Sequence, residues 1–276
     1  CEVGFSNAST PNSQPPSFQG TANFQTPTHT VGALRALGVG ALGVTWALEV
    51  GSWELSWNML QAVLFDVDGT LVDSNDAHAH AWVLAFAEHR VEVDFAEVRR
   101  RIGMGGDKLM PEVSGIAEDS PQGAAIAGRR TQIFRERFLP ALRAFPDAGR
   151  LVSAIKARGL RTVAASSAKR DELEPLLAIA GAGSLMDEKT SGDDAEASKP
   201  DPDIVHAALD RARAKASDAL MIGDTPYDVD AARRAGVAAI AFRCGGWTDA
   251  DLEGAIAVYD GPWDLLARLD ESPLRR

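Results

Sequence analysis

The sequence predicts an α/β fold, with a doubly wound parallel β-sheet core that an inserted α-helical segment interrupts after the first strand. Two observations carry this prediction. Short apolar runs end in turn residues, as buried parallel strands do, at residues 61–66, 161–166, 219–223 and 237–242. Between residues 73 and 147 no such run occurs, and the apolar residues follow helical spacing instead.

Each predicted strand is paired with a segment of helical spacing. These helices are predicted at residues 150–158, 171–179, 203–212 and 227–235, with one further weak strand near residues 184–187. Strands that alternate with helices of about ten residues imply right-handed crossovers between parallel strands. Ligands of such sheets bind at the carboxyl ends of the strands, so the residues that follow each strand are the candidates for a site.

The inserted segment is predicted to contain four helices, at residues 77–89, 95–102, 108–116 and 124–138. In the first of them His78, Trp82 and Phe86 fall on one stripe. A helical insert directly after the first strand is expected to lie above the carboxyl-end site as a lid. The predicted organisation is a core of residues 59–73 and 147–276 with a helical cap of residues 74–146.

Residues 1–58 differ in composition from the rest. They are rich in small polar residues and glycine up to Thr30, carry few charges, and precede the first methionine, Met59. We expect Met59 to be the natural start and the preceding segment to be a disordered or non-native extension. The apolar stretch 36–48 is too short for a membrane span and lacks the basic leader of a signal peptide.

Overall composition narrows the functional classes. The chain has 276 residues and a formal net charge of −11, which argues against non-specific nucleic-acid binding because such binding needs many basic residues. Two cysteines give no disulfide framework and favour a reducing cytoplasm. No nucleic-acid or membrane partner is expected, and the sequence leaves a monomer and a homodimer equally open.

Asp66 and Asp68 come at the end of the first predicted strand, and Gly69 begins a turn that lets the two carboxylates converge. One carboxylate can attack phosphorus and form an aspartyl phosphate. The other can protonate the leaving oxygen and later accept a proton from water. The alternative is a strand followed by an ordinary Asp-Gly turn.

A second acidic pair follows the strand at residues 219–223. Asp224 is a candidate ligand for Mg²⁺ together with Asp66, since this ion prefers oxygen ligands and often binds one or two carboxylates. Asp228 has two interpretations. It completes a capping arrangement with Thr225 and Pro226 at the start of a helix, or it supports the metal ligands from behind.

Ser166 and Lys199 are the candidates for binding phosphate. Lys199 precedes a proline in a polar loop, and as a point charge it can stabilise a transferring phosphoryl group. Ser166 follows a strand and is predicted to be free for phosphate because Asp171 and Glu174 offer a capping box to the next helix. A solvated loop lysine and a helix-capping serine are the simpler alternatives.

Together these motifs resemble the haloacid dehalogenase superfamily, and the resemblance covers nearly all of residues 59–276. The motifs are DVDGT at 66–70, Ser166 in VAASS, Lys199 in SKPDPDI and GDTPYD at 223–228. The resemblance implies a Rossmann-like core, Asp66 as nucleophile, Asp68 as acid/base, and Ser166 and Lys199 as phosphate binders. It also implies Mg²⁺ held by Asp66, Asp224 and the carbonyl oxygen of Asp68.

The insert is similar to the small helical cap of the phosphoglycolate phosphatase and β-phosphoglucomutase branch. The mutase resemblance extends to His78, which in mutases links cap closure to the acid/base residue; a histidine packed on a helix face is the alternative. A mutase also needs an arginine in the loop at 102–108, where this sequence has glycines, and Lys108 or Arg101 is the only substitute nearby.

The expected function is therefore a Mg²⁺-dependent phosphatase that hydrolyses a small phosphorylated metabolite through an aspartyl phosphate. A sugar-phosphate mutase and a non-catalytic phosphometabolite-binding protein are the alternatives. The substrate remains open among phosphoglycolate, a sugar phosphate and a nucleotide. The residues expected to face the entrance are Asp107, Lys108, Lys169 and Arg170.

Overall fold

The computed structural model describes residues 60–275, so the expectations for residues 1–58 and for Met59 lie outside the described residues. A parallel six-stranded sheet forms the centre, in the order β3-β2-β1-β4-β5-β6. The strands are β1 (Ala62–Phe65), β2 (Arg161–Ala165), β3 (Glu188–Thr190), β4 (Ala219–Gly223), β5 (Ala238–Phe242) and β6 (Ala257–Tyr259). The predicted α/β fold class is confirmed.

In this part of the chain one α-helix separates each pair of consecutive strands from β2 to β5, several lie between β1 and β2, and a 3-10 turn at Arg243–Gly245 lies between β5 and β6. The α-helices are α1 (Asn75–Glu88), α2 (Phe95–Arg99), α3 (Gly106–Ser114), α4 (Pro121–Ile133), α5 (Ala148–Ala157), α6 (Arg170–Ile179), α7 (Asp203–Ala212), α8 (Pro226–Arg234) and α9 (Pro262–Ala267). The inserted segment consists of α1–α4, and α4 continues into a π-helical turn at Phe134–Phe138.

Alternate residues of the strands point to opposite faces of the sheet, and both faces are buried. Val63 and Ile222 belong to the face that packs against α5 and α6, and this apolar cluster continues into the insert. Leu64 and Met221 belong to the opposite face, which α7 and α8 cover. Burial on both faces explains why the strands read as continuous apolar runs rather than as alternating ones.

The weak strand predicted at residues 184–187 was placed too early. Leu185 and Met186 donate their backbone N–H groups to the carbonyl oxygen of Ala182, and therefore form a turn. Met186 is buried because it packs on the core from that turn. The strand itself follows as β3, where Glu188 pairs with Val163 of β2.

The capping box predicted for the helix after Ser166 was also wrong. The helix begins at Arg170, one residue before Asp171, and its N-cap residue Lys169 makes no side-chain capping bond. The backbone N–H of Arg170 instead donates to Asp193 at 2.9 Å. The carboxylate of Asp193, which is 23 residues away in the chain, thus takes the place of a local capping side chain.

Among residues 60–275, no helix is both long enough and apolar enough to cross a membrane.

Candidate active site

The site lies at the carboxyl ends of the central strands. Register places Phe65 of β1 opposite Ile222 of β4 and Ala164 of β2. Asp66 extends this pairing, since its backbone N–H donates to the carbonyl oxygen of Ile222 at 2.9 Å. The residues just beyond the three strands, Asp66, Ser166 and Asp224, consequently gather at one edge of the sheet.

Gly69 makes the turn after β1 possible. Its backbone has φ +76°, and a β-carbon there would lie 2.3 Å from Asp224 Oδ2 and 2.2 Å from Asn75 Nδ2. Only glycine tolerates both the left-handed backbone and this close approach. The turn lets Asp66, Asp68 and Asp224 share one edge.

Lys199 lies beneath Asp66 and is fully buried. Its Nζ is 2.6 Å from Asp66 Oδ1 and 2.7 Å from Asp228 Oδ1. Although burial opposes a charged amine, the two carboxylates raise the pKa of Lys199. The interpretation of a solvated loop lysine is therefore excluded, because the ammonium group ends at the carboxylate of Asp66.

Asp66 is in a different electrostatic position. Burial and the neighbouring carboxylates of Asp228 and Asp68 outweigh the attraction of Lys199 and raise the pKa of Asp66 to about 7. Its Oδ2 accepts a hydrogen bond from Thr70 Oγ1 at 3.1 Å. The hydrogen bonds therefore fix the orientation of the Asp66 carboxylate. The positive charge of Lys199 does not offset the effects of burial and of the neighbouring carboxylates on its ionised form.

Asp224 also has more negative than positive charge around it. Its Oδ1 accepts from Thr70 at 2.9 Å and its Oδ2 from Asn75 at 2.9 Å, and neither donor is charged. Burial, followed by the charges of Asp228 and Asp66, raises the pKa of Asp224 well above its usual value. Removal of three carboxylates from water without matching cations is costly.

The donor set fits a divalent cation. Asp66, Asp224 and Asp228 each offer one oxygen, and these atoms lie within 4.8 Å of one another. The buried ammonium group of Lys199 contacts Asp66 and Asp228 and supplies a single positive charge beside these three carboxylates. A hard cation with oxygen ligands would balance the excess of negative charge.

Of the two interpretations of Asp228, the capping arrangement is confirmed. Thr225 and Asp228 form a reciprocal capping box at the start of α8, with Asp228 Oδ2 accepting from the Thr225 hydroxyl at 2.7 Å. Its other oxygen faces Lys199. One buried side chain therefore fixes both the loop that carries Asp224 and the lysine beneath Asp66.

A chain of contacts runs from Asp68 into the insert. Asp68 Oδ1 accepts from Ser74 Oγ at 2.6 Å and lies 2.8 Å from His78 Nε2. Arg130 bonds the other ring nitrogen of His78 and also both oxygens of Glu172. Because a guanidinium only donates, Nδ1 of His78 accepts, and Nε2 carries the hydrogen that Asp68 receives.

These contacts set the electrostatics of Asp68. Burial alone would raise its pKa, but the contact with His78, the hydrogen bond from Ser74 and the charge of Arg130 together lower the pKa of Asp68. The pKa of Asp66 is therefore raised, whereas that of Asp68 is lowered. A cation bound at Asp66 would lower the pKa of that carboxyl and favour the ionised form that a nucleophile needs.

A cavity opens above the two aspartates, between the strand ends and the insert. Its lining residues come from both parts of the chain: Asp66, Asp68, His78, Trp82, Ile102, Gly103, Met104, Gly105, Gly106, Glu118, Ala127, Arg130, Thr131, Ser166, Ser167, Ala168, Lys169 and Glu172. Ser166 is buried at its edge, where its Oγ accepts from the backbone N–H of Ala168 at 3.1 Å. Residues of the insert therefore form part of the cavity wall, and its action as a lid stays a prediction.

The residues expected at the entrance differ in whether they line the cavity. Lys169 lines the cavity, whereas Lys108 forms an ion pair with Asp201 and Asp107 hydrogen-bonds Ser198. Arg170 pairs with Asp194. Asp107, Lys108 and Arg170 do not line the cavity, because core residues near the loop of Lys199 and the region of β3 engage them.

Several residues of the site carry no sequence signal that we used. Thr70 and Asn75 orient the aspartates, and their neighbourhood in the first motif was the available indication. Arg130, Glu172 and Glu118 come from segments interpreted only as helical or connecting. Their positions in the site depend on how the insert packs on α6. The spacing of apolar residues along the sequence does not predict this packing.

Comparisons with known proteins agree with this geometry. The model of the haloacid dehalogenase-like hydrolase family matches residues 60–236. A phosphoglycolate phosphatase of Rhodospirillum rubrum is 33% identical over 214 residues, which cover 73% of this chain and 88% of that protein. A hydrolase from Pseudomonas syringae has a similar crystal structure, with TM-score 0.72, 30% identity, and coverage of 76% and 98%. A Bacteroides vulgatus protein, provisionally described as a β-phosphoglucomutase, follows with TM-score 0.69, 26% identity, and coverage of 79% and 91%.

A doubly wound sheet with buried aspartates at the carboxyl ends of its strands defines an α/β protein with its site at that edge. The chain belongs to the haloacid dehalogenase-like hydrolases. The predicted branch, that of phosphoglycolate phosphatases and β-phosphoglucomutases, is confirmed, as is the prediction of a phosphoric monoester hydrolase.

Proposed function

We propose that this protein is a Mg²⁺-dependent phosphatase that hydrolyses a small phosphorylated metabolite through an aspartyl phosphate on Asp66. One observation carries the proposal. Asp66 and Asp68 line the same cavity, and Asp66 lies within a cluster of buried carboxylates whose charge a divalent cation would balance. Lys199, 2.6 Å from Asp66, supplies positive charge where a phosphoryl group would arrive.

The residues have distinct roles in this reaction. A carboxylate oxygen of Asp66 attacks phosphorus, and the bond to the leaving oxygen breaks as Asp68 supplies that oxygen with a proton. Water then attacks the phosphorus of the aspartyl phosphate and gives a proton to Asp68, which releases phosphate and restores Asp66. Ser166 and Lys199 bind the phosphoryl oxygens, and positioning with charge stabilisation supplies most of the rate.

Mg²⁺ would be held by Asp66, Asp224 and the carbonyl oxygen of Asp68, with Asp228 orienting the loop of Asp224. When bound, it neutralises charge on the phosphoryl oxygens. The excess of buried carboxylates supports a cation held by Asp66 and Asp224.

The hydrolase is favoured over the mutase by the loop around residues 103–106. Gly105 leaves no room for a side chain, because a β-carbon there would lie 2.4 Å from Ser198 Cβ. The two possible substitutes for a mutase arginine are occupied elsewhere, with Lys108 paired to Asp201 and Arg101 paired to Glu97 and Glu112.

The test is phosphate release from phenyl phosphate with Mg²⁺ and with EDTA. We expect turnover only with the metal. Incubation with a β-sugar 1-phosphate should release inorganic phosphate; its conversion to the 6-phosphate without phosphate release would establish the mutase instead. We further propose a small phosphate ester as the partner and the cytoplasm as the location, the latter on the basis of cysteine usage.

Metal should stabilise the protein more at high pH than at low pH. A carboxyl whose folded pKa is raised contributes stability that is present below its unfolded pKa, about 4, and is lost as pH rises through the folded value. Asp66, with a pKa of about 7, and Asp224 therefore destabilise the metal-free protein increasingly between pH 4 and pH 7. Thermal unfolding with EDTA or Mg²⁺ at pH 5 and pH 8 should show the larger Mg²⁺-dependent rise in Tm at pH 8. An equal rise at both pH values, or the same rise in Asp224→Asn, would contradict this.

Gly245→Ala should weaken Mg²⁺ binding without a change in any charged residue. A β-carbon at Gly245 would lie 1.8 Å from Asp224 Oδ2, so the carboxylate has to move. We expect the Mg²⁺ concentration for half-maximal phenyl phosphate turnover to rise about tenfold or more, since loss of outer contacts to ligands costs about 10–100-fold in affinity. Gly128→Ala is the matched control, because nothing lies within 4 Å of the β-carbon there. Unchanged Mg²⁺ dependence in Gly245→Ala would show that Asp224 is not a ligand.

A further inference from the structure

One carboxylate faces the cavity from the insert without a protein partner. Glu118, in the connection between α3 and α4, lines the cavity together with Trp82, Gly106 and Lys169. Within residues 60–275, its carboxylate forms neither a hydrogen bond nor an ion pair. Burial raises the pKa of Glu118, and the charge of Asp107 raises it further, as expected for an anion that lacks donors.

The position of Glu118 is fixed by its backbone. Ser120 Oγ accepts from Gly123 N at 3.0 Å, and Ser120 N donates to the carbonyl oxygen of Ala117 at 3.1 Å. Gly123 packs so closely that a β-carbon there would lie 2.1 Å from Ala117 O. The connection is therefore a defined turn against the first turn of α4.

The carboxylate group itself has a defined place in the cavity wall. A β-carbon on Gly106 would lie 3.0 Å from Glu118 Oε1 and 3.1 Å from Trp82 Cζ2. The absence of a side chain at Gly106 thus leaves the carboxylate beside an indole ring. An acceptor next to a flat apolar surface is a common way to fix a polar ligand.

The charges around Glu118 limit what the leaving group can be. Arg130 already bonds both oxygens of Glu172 and a ring nitrogen of His78. Lys169 is exposed and forms no ion pair among residues 60–275. A carboxylate on the leaving group would suit Lys169 but bring a like charge toward Glu118. A hydroxyl group can donate to Glu118 and accept from Lys169, and so matches both.

We propose that Glu118 is a specificity-determining residue that accepts a hydrogen bond from a hydroxyl of the leaving group. The enzyme then prefers phosphate esters of neutral, hydroxylated alcohols, such as sugar or polyol phosphates, over esters whose leaving group carries a carboxylate. This inference rests on the proposed phosphatase function.

The test compares kcat/KM for glucose 6-phosphate, glycerol 3-phosphate and 2-phosphoglycolate, each divided by kcat/KM for phenyl phosphate on the same variant. In the wild type, at least one hydroxylated ester should exceed 2-phosphoglycolate by about tenfold or more. Glu118→Ala should reduce that preference about tenfold, chiefly through KM, because a charge-assisted hydrogen bond is lost. Glu118→Lys should invert it. Glu136→Ala, at an exposed position of the insert, is the matched control and should keep the wild-type ratios.

The possible failures are distinguishable. If the wild type hydrolyses phenyl phosphate but prefers 2-phosphoglycolate or shows no preference for either hydroxylated ester, the inference on Glu118 is wrong and the phosphatase stands. The same holds if the ratios survive in Glu118→Ala and Glu118→Lys. If the wild type with Mg²⁺ hydrolyses no phenyl phosphate, the proposed function falls and the inference falls with it.

Discussion

Asp66→Asn should reduce phenyl phosphate turnover at saturating Mg²⁺ by at least about 10³-fold, since loss of a covalent nucleophile leaves only binding and charge stabilisation. The protein should still fold. The amide oxygen can still accept from Lys199 and the amide N–H can donate to the hydroxyl of Thr70, and the change removes one of the mutually repelling buried carboxylates. Thermal unfolding checks the fold, and phosphate release checks the activity.

Asp210→Asn, at an exposed position of α7, provides the control for Asp66→Asn and should retain wild-type turnover. Appreciable turnover by Asp66→Asn in a preparation free of wild-type protein would remove Asp66 as nucleophile. The aspartyl-phosphate route would then be wrong, whatever the metal dependence.

Arg130→Ala should lower the free energy of unfolding by about 3–5 kcal/mol, because it leaves a buried carboxylate without its cation. Glu172 has only 1% of its side chain exposed, and Arg130 has 15%. The guanidinium also lies 5.2 Å from the ring centroid of Phe134 and 5.6 Å from that of Trp82, so its packing is lost as well. Urea denaturation measures the change. Arg129→Ala, which removes an exposed neighbouring pair, should change stability little.

The double variant Arg130→Met/Glu172→Leu separates charge from packing. Its stability should lie well above that of Arg130→Ala, because no unpaired charge remains at positions 130 and 172. Equal losses of stability in Arg130→Ala and in the double variant would show that the unpaired charge of Glu172 does not cause the loss.

Activity provides a second measurement on Arg130. Without it, His78 has no donor at Nδ1 to fix which nitrogen faces Asp68. We expect kcat for phenyl phosphate to fall about 10²-fold in Arg130→Ala, a typical cost of misplacing a group in the site. An unchanged kcat at a temperature where the variant is folded would limit the contacts of His78 and Arg130 to structural support.

The sequence was sufficient for the strand-end residues because their placement follows from a general property of parallel sheets. Asp66, Ser166 and Asp224 each follow a buried apolar run, and adjacent parallel strands bring such residues to one edge. Capping chemistry likewise predicted the start of α8 from Thr225, Pro226 and Asp228. In both cases the information is local in the chain.

Contacts between the insert and the core were not predictable in the same way. Lys108 was expected at the entrance but pairs with Asp201, and Arg130 was not considered although it joins His78 to Glu172. Each of these contacts connects residues more than 40 positions apart, across a packing angle that periodicity does not encode. The β3 strand was misplaced for a related reason, since an apolar turn at Leu185 and Met186 packs on the core much as a strand would.

The covalent step can be observed by quenching the enzyme during turnover of phenyl phosphate, reducing it with borohydride and sequencing its peptides by mass spectrometry. The proposed route predicts conversion of residue 66 to homoserine, at Asp66 alone and only when substrate and Mg²⁺ are both present. Active turnover with no reduction at Asp66, or with reduction at another carboxylate, would contradict it.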